Sequence, residues 1–149
     1  MEIVTKSAQE TAALGEKIAN QLIINHQPLI IALTGELGSG KTIFVQGLAK
    51  GLGIKERILS PTFVMIREYQ VHSAKCIAHK FFHVDLYRVE NEKDIESLGL
   101  AEIWSDPKNL VAIEWAEKIK KILPGKRIDI HLGYLKEDKR RINISYINI

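Results

Sequence analysis

Residues 29–42 read Leu-Ile-Ile-Ala-Leu-Thr-Gly-Glu-Leu-Gly-Ser-Gly-Lys-Thr. The apolar run at 29–33 fits a strand buried on both faces of a sheet. Gly35, Glu36, Leu37, Gly38, Ser39, Gly40, Lys41 and Thr42 then match the pattern GxxxxGK[ST] at every fixed position. Glycines let such a backbone curl round a phosphate with its N–H groups turned inward, and the helix that follows adds the positive end of its dipole. In this pattern Lys41 reaches the β- and γ-phosphates, and the Thr42 hydroxyl ligates Mg²⁺. The expected ligand is a nucleoside triphosphate, ATP or its product ADP, with magnesium.

Outward from the loop, residues 41–52 carry an amphipathic pattern that Gly53 should end. Upstream, Ser7 and Glu10 have the spacing of a capping box. Ala12, Ile18, Ala19, Leu22 and Ile23 then trace one helix face, which Pro28 closes off. Downstream, β-formers alternate with polar residues at 62–71 and again from about 77 to 87, which predicts two strands joined by a loop. Residues 94–104 suggest a short helix interrupted at Gly99, and residues 110–115 another buried strand, followed by a charged helix up to Leu123. Clean alternation at 127–134 and 140–147 predicts a terminal hairpin around 136–139. The fold class that follows is α/β: one phosphate-loop domain over residues 1–149, with a mixed, mostly parallel sheet flanked by helices and antiparallel strands at its edges.

Composition sets the outer bounds. With 149 residues, 46% hydrophobic and 26% charged, the chain matches an ordinary soluble globular domain. A net charge of +3, with Lys and Arg scattered, is no electrostatic footprint for nucleic acid. Cys76 is the one cysteine, so no intrachain disulfide can form, and a reducing compartment is expected. The first ten residues lack the pattern of a signal peptide, and no apolar stretch approaches the roughly 18 residues of a membrane span. The expectation is a cytoplasmic protein without membrane contact.

A γ-phosphate also needs a carboxylate on the magnesium side and a group to orient the attacking atom. Glu114, at the end of the apolar run 110–113, stands where such folds place that acid. Asp85 is the second candidate. The alternation in His83-Val-Asp-Leu-Tyr87 puts His83, Asp85 and Tyr87 on one strand face. Guanine specificity is not expected, because no Asn-Lys-x-Asp tetrapeptide occurs and Arg88 stands where the second switch of Ras-type GTPases has glycine.

Five segments together carry a resemblance: residues 33–42, Ser60-Pro61-Thr62-Phe63, His83-Val-Asp85-Leu-Tyr87-Arg88, Leu98-Gly-Leu100 and Ala112-Ile-Glu114-Trp115. In order and spacing they resemble the TsaE (YjeE) family over nearly the whole chain. That family is the small bacterial ATPase of the machinery that makes threonylcarbamoyl adenosine (t6A) in tRNA. The resemblance implies a weak ATPase that supports turnover through nucleotide-dependent engagement of the partner proteins TsaB and TsaD, with tRNA contacted indirectly. It implies that Lys41 and Thr42 serve phosphate and magnesium, and that Ser60 to Phe63 form a first switch-like segment. Asp85 then lies in a second switch-like segment with His83, Tyr87 and Arg88, and Glu114 takes the Walker B role with Trp115 beside it. Thr11 matches a threonine near the adenine. Arg140, or the adjacent Arg141, matches an arginine near the nucleotide. Ser39 replaces the family's usual alanine, and Ala116 its usual proline.

Other readings stay open. Asp85 could be the base of a small-molecule kinase, although the chain has little length left for a lid. A nucleotide-gated binding module without hydrolysis is the third class. His72, Cys76, His79 and His83 lie close in sequence, but structural zinc sites usually use more cysteines. The charged stretch 136–141 is read as a solvated turn.

Overall fold

The computed structural model describes residues 1–25, 30–61, 63–73, 75, 76 and 78–149, without the side chains of residues 24 and 25. Leu29, Pro28 and Ile77, expected at element ends, and Thr62 of the switch-like segment lie outside the described residues.

One seven-stranded sheet organises the chain, in the order β1-β7-β6-β2-β5-β4-β3. Its centre is β2 (Ile30–Thr34), paired in parallel with both β5 (Asn109–Glu114) and β6 (Arg127–Tyr134). β4 (Lys80–Asp85) lies parallel to β5 on the far side. The edges are antiparallel: β3 (Ile66–Gln70) on β4, β7 (Arg140–Ile147) on β6, and β1 (Glu2–Thr5) on β7. The sheet is therefore mixed with a parallel centre, as its alternating apolar runs predict. Every residue of β5 is buried and four of the five in β2 are, which is why both lack a polar-out alternation.

On one face lie α1 (Ala8–Asn25) and α2 (Lys41–Gly51). The Glu10 N–H donates to Ser7 Oγ at 3.1 Å, and the Glu10 carboxylate accepts from the Lys6 N–H at 2.6 Å. The capping box is thus closed one residue earlier than the standard reciprocal pair. The two helices approach to backbone contact. A Cβ built on Gly47 would lie 1.9 Å from the Ala12 carbonyl oxygen, and one on Gly15 would lie 2.3 Å from that of Phe44. Leu22, Phe44, Leu48 and Leu52 fill the space between this pair and the sheet residues Ile31, Leu33 and Phe81.

The other face is covered by α3 (Glu92–Ser97), α4 (Leu100–Ser105) and a 3₁₀ turn at Ala116–Ile119, over Val84, Val111 and Ile113. Gly99 separates α3 from α4 in the left-handed region at φ 65°, so the interruption falls where the sequence places it. No helix among the described residues is long and apolar enough to cross a membrane.

Three expectations are corrected. The strand expected at 62–71 starts only at Ile66; Val64 and Met65 turn back by N–H bonds to the Pro61 carbonyl, and Met65 sits at φ 67°. The charged helix expected up to Leu123 is only the 3₁₀ turn, whose Ala116 and Ile119 bury one side at its three-residue repeat. Tyr87 does not share a strand face with His83 and Asp85. β4 ends at Asp85, whose Oδ1 accepts the Tyr87 N–H at 2.9 Å and turns the chain.

Candidate functional site

The C-terminal ends of β2, β4 and β5 meet beside the start of α2, the position where open parallel sheets bind ligands. Parallel register sets Leu33 of β2 opposite Glu114 of β5, and Glu114 opposite Asp85 of β4. A cleft of about 330 Å³ opens there, between the loop residues 37–42 on one side and Ser60, Asp85, Tyr87, Glu114 and Trp115 on the other.

The loop's shape comes from its neighbours. Gly35 sits at φ 137°, and a Cβ there would lie 2.2 Å from the Leu132 carbonyl oxygen on β6, so only glycine fits. Lys41, 4% exposed, donates to the carbonyls of Gly35 at 2.6 Å and Glu36 at 2.9 Å, and to Ser39 Oγ at 3.4 Å. The serine found in place of the usual alanine therefore adds an acceptor for the lysine. From outside the loop, Arg140 donates through Nε to Ser39 O and through Nη2 to Gly38 O, both at 3.1 Å. Drawing the Ser39 carbonyl to Arg140 turns the Gly40 N–H of that trans peptide the opposite way.

Burial pushes the Lys41 ammonium below its usual pKa, while the charges of Glu114, Glu117 and Asp85 pull it back up. Its Nζ also stands 4.2 Å from the centroid of the Trp115 ring, a cation–π contact. An anionic group arriving at the loop would favour the charged form further. Thr42 Oγ1 donates to the Glu114 carboxylate, at 2.9 Å to Oε1 and 3.2 Å to Oε2. His83 Nε2 lies 2.5 Å from Glu114 Oε2, with both side chains buried. Asp85 Oδ2 accepts from Ser60 Oγ at 3.4 Å, which ties the segment before β3 to the end of β4.

The remaining residues form a second ring. Trp115, at φ 60°, packs on Tyr87 with ring centroids 5.2 Å apart. Arg88 lies over the exposed ring of Phe63, 4.2 Å from its centroid, while Pro61 is buried beneath that segment. Thr11 does not line the cleft. It stands in a small cavity beside it with Gly40, Ile43 and Arg140, its hydroxyl 2.7 Å from that of Thr5. Of the two candidate arginines, Arg140 is the one on the loop, since Arg141 faces Glu2 at 3.6 Å.

The sequence reading missed Lys118. Its Nζ donates to the carbonyls of Tyr87 at 2.5 Å and Val89 at 3.1 Å, holding the segment after Asp85 against the 3₁₀ turn. Nothing in the linear pattern separates it from Lys120 and Lys121.

Chemically the cleft offers an ammonium, a helix N-terminus, a hydroxyl and two carboxylates. The oxygen donors Thr42, Asp85 and Glu114 suit a hard cation. Two carboxylates with a hydroxyl, and no closed protein cage, fit Mg²⁺, which keeps waters and shares phosphate oxygens.

A family model described as "Threonylcarbamoyl adenosine biosynthesis protein TsaE" matches residues 5–142. The tRNA threonylcarbamoyladenosine biosynthesis protein TsaE of Treponema pallidum is 34% identical over 97% of this chain and 100% of its own length. That of Rickettsia bellii is 37% identical over 97% and 94%. The crystal structure of YdiB from Bacillus subtilis superposes with a TM-score of 0.77 at 30% identity, covering 99% of this chain and 86% of that one. The match runs from β1 through the glycine-rich loop and both carboxylate-bearing strands into β7, so the chain belongs to the TsaE family.

Proposed function

We propose that the chain is an ATPase subunit of the machinery that makes t6A in tRNA: it binds Mg·ATP in the cleft, hydrolyses it slowly alone, and engages TsaB and TsaD according to the nucleotide bound. The observation that carries this reading is the convergence of Lys41, Thr42, Asp85 and Glu114 on one cleft at the strand ends. The names of the relatives supply the pathway.

In this reading the loop N–H groups and Lys41 cradle the phosphates, and the Lys41 ammonium moves from the Gly35 and Glu36 carbonyls toward the β- and γ-oxygens. Thr42, with Asp85 and Glu114, would hold magnesium, which when bound neutralises charge on the phosphates. Glu114 fixes the Thr42 hydroxyl. Asp85, held by the Tyr87 N–H, is the second carboxylate lining the cleft. Among the described residues, Arg140 lines the cleft but its guanidinium is engaged by the Ser39 and Gly38 carbonyls, and Arg88 covers Phe63. The site therefore supports slow turnover that a partner completes. Leu37, Leu59, Phe63 and Val64 are exposed on the two segments flanking the cleft, which suits a partner closing over it.

The test measures nucleotide affinity and phosphate release, with and without TsaB and TsaD. Lys41→Ala is expected to abolish binding. Glu114→Ala is expected to lower turnover about 100-fold with a smaller change in affinity. Phosphate release without an acceptor metabolite supports the reading. ATP consumption only when a metabolite is phosphorylated would replace it with the kinase, and wild-type turnover in Glu114→Ala would remove Glu114 from its role.

A further inference from the structure

Behind the cleft lies a buried polar contact that the proposed reaction does not use directly. His83 is fully buried, two residues before Asp85 on β4, and stands opposite Ala112 in the β4–β5 register. Its ring stacks on Phe81 with centroids 6.5 Å apart and planes 24° apart, so the ring is held from behind. Its Nε2 meets Glu114 Oε2 at 2.5 Å, and its Nδ1 has no hydrogen-bond partner among the described residues.

The geometry points to His83 as a positioning residue for the magnesium side of the cleft, an inference that rests on the Mg·ATP reading above. The argument begins with Glu114. A glutamate carboxylate turns easily about its last torsion. Here one oxygen is tied to His83, and both lie within reach of the Thr42 hydroxyl. With Oε2 anchored, the carboxylate presents a fixed acceptor to Thr42. A threonine hydroxyl has one hydrogen and two lone pairs, and the hydrogen turns to suit its acceptor. Once that hydrogen is directed to Glu114, the lone pairs face elsewhere, available to a cation. His83 thus sets, through Glu114, where the hydroxyl hydrogen of Thr42 points. The relay runs His83 Nε2–H to Glu114 to Thr42 Oγ1–H, each donor pointing at an acceptor.

This direction also fits the orphan atom. If Nε2 carries the hydrogen, the unpartnered Nδ1 is a bare acceptor, and buried unpaired acceptors are tolerated more often than buried unpaired N–H groups.

The experiment compares wild type with His83→Phe, His83→Asn and His83→Gln. Glutamine can return an N–H near the Nε2 position; asparagine is too short, and phenylalanine keeps the ring without the donor. Folding of each is checked by thermal melting. Titration of ATP binding against Mg²⁺ is expected to show a ~10–100-fold higher magnesium requirement in His83→Phe and His83→Asn, as for lost partners of metal ligands elsewhere. His83→Gln should stay within a few-fold of wild type, and ATP affinity in EDTA should be equal in all four. In the ligand-free wild-type protein, nitrogen–proton correlations of the ring should place the hydrogen on Nε2.

A wild-type magnesium requirement in His83→Phe overturns the proposal, as does equal loss in the Phe and Gln variants or a hydrogen found on Nδ1. If wild type shows no magnesium-dependent nucleotide binding, the Mg·ATP reading fails instead, and the ring-nitrogen measurement still judges the donation to Glu114. Should His83→Phe not fold, His83→Gln against His83→Asn and the same measurement decide.

Discussion

The two faces of the sheet are covered by different means. On one, α1 and α2 touch backbone to backbone through Gly15 and Gly47. On the other, α3 and α4 are six residues each, with only Leu100 of their side chains fully buried, and they are folded into place by a reversal at Gly99. A glycine is needed on each face, for opposite reasons. Gly47 supplies absent volume; Gly99, with nothing within 4 Å of a built Cβ, supplies a left-handed backbone. The face that bears the loop is fixed by contact, and the other by chain direction.

Substitutions at these two glycines sharpen the contrast. The largest effect is expected for Gly47→Ala, because its methyl would meet a main-chain oxygen that no rotamer change can move. Urea denaturation should show a loss of about 3 kcal/mol, and ATP affinity should fall with it, since α1 cannot withdraw without disturbing the loop. Gly99→Ala should cost about 1 kcal/mol and leave ATP affinity at the wild-type value; a loss of affinity would mean that the second face also holds the site. The smallest effect belongs to the Lys50–Glu16 pair, which joins the same two helices at 3.3 Å with Lys50 largely exposed. A double-mutant cycle on this pair should give no more than about 0.5 kcal/mol. A larger value would show charge, and not the glycine contact, holding α1 to α2.

What could be foreseen from sequence follows from the range of the forces involved. Residues 30–42 combine a local period, a turn composition and a helix start, so strand, loop and helix are all legible, and the terminal hairpin is legible for the same reason. Residues 63–65 mislead because Phe63 and Val64 are strong β-formers, yet both are exposed, so burial does not set their conformation. Residues 116–123 mislead because a three-residue and a 3.6-residue repeat cannot be separated over one turn. In the site, Glu114 and Asp85 are legible as strand-end acids. The role of His83 toward Glu114 is not, since it depends on two strands lying side by side in parallel register. Lys118 is invisible for a related reason: its partners are main-chain carbonyls, which no sequence distinguishes.

The two hydrogen bonds from Arg140 to the loop bear on the order in which the protein is made. They join positions 101 and 102 residues apart, and β7 also carries the partner positions of β1. A ribosome-bound chain that has delivered residues 1–134 holds the complete GxxxxGK[ST] sequence and both strand-end carboxylates. It still lacks the arginine that holds the Gly38 and Ser39 carbonyls and the strand that joins β1 to the sheet. If the chain binds nucleotide as proposed, retention by such a nascent chain is expected to begin only when residues 135–147 have emerged.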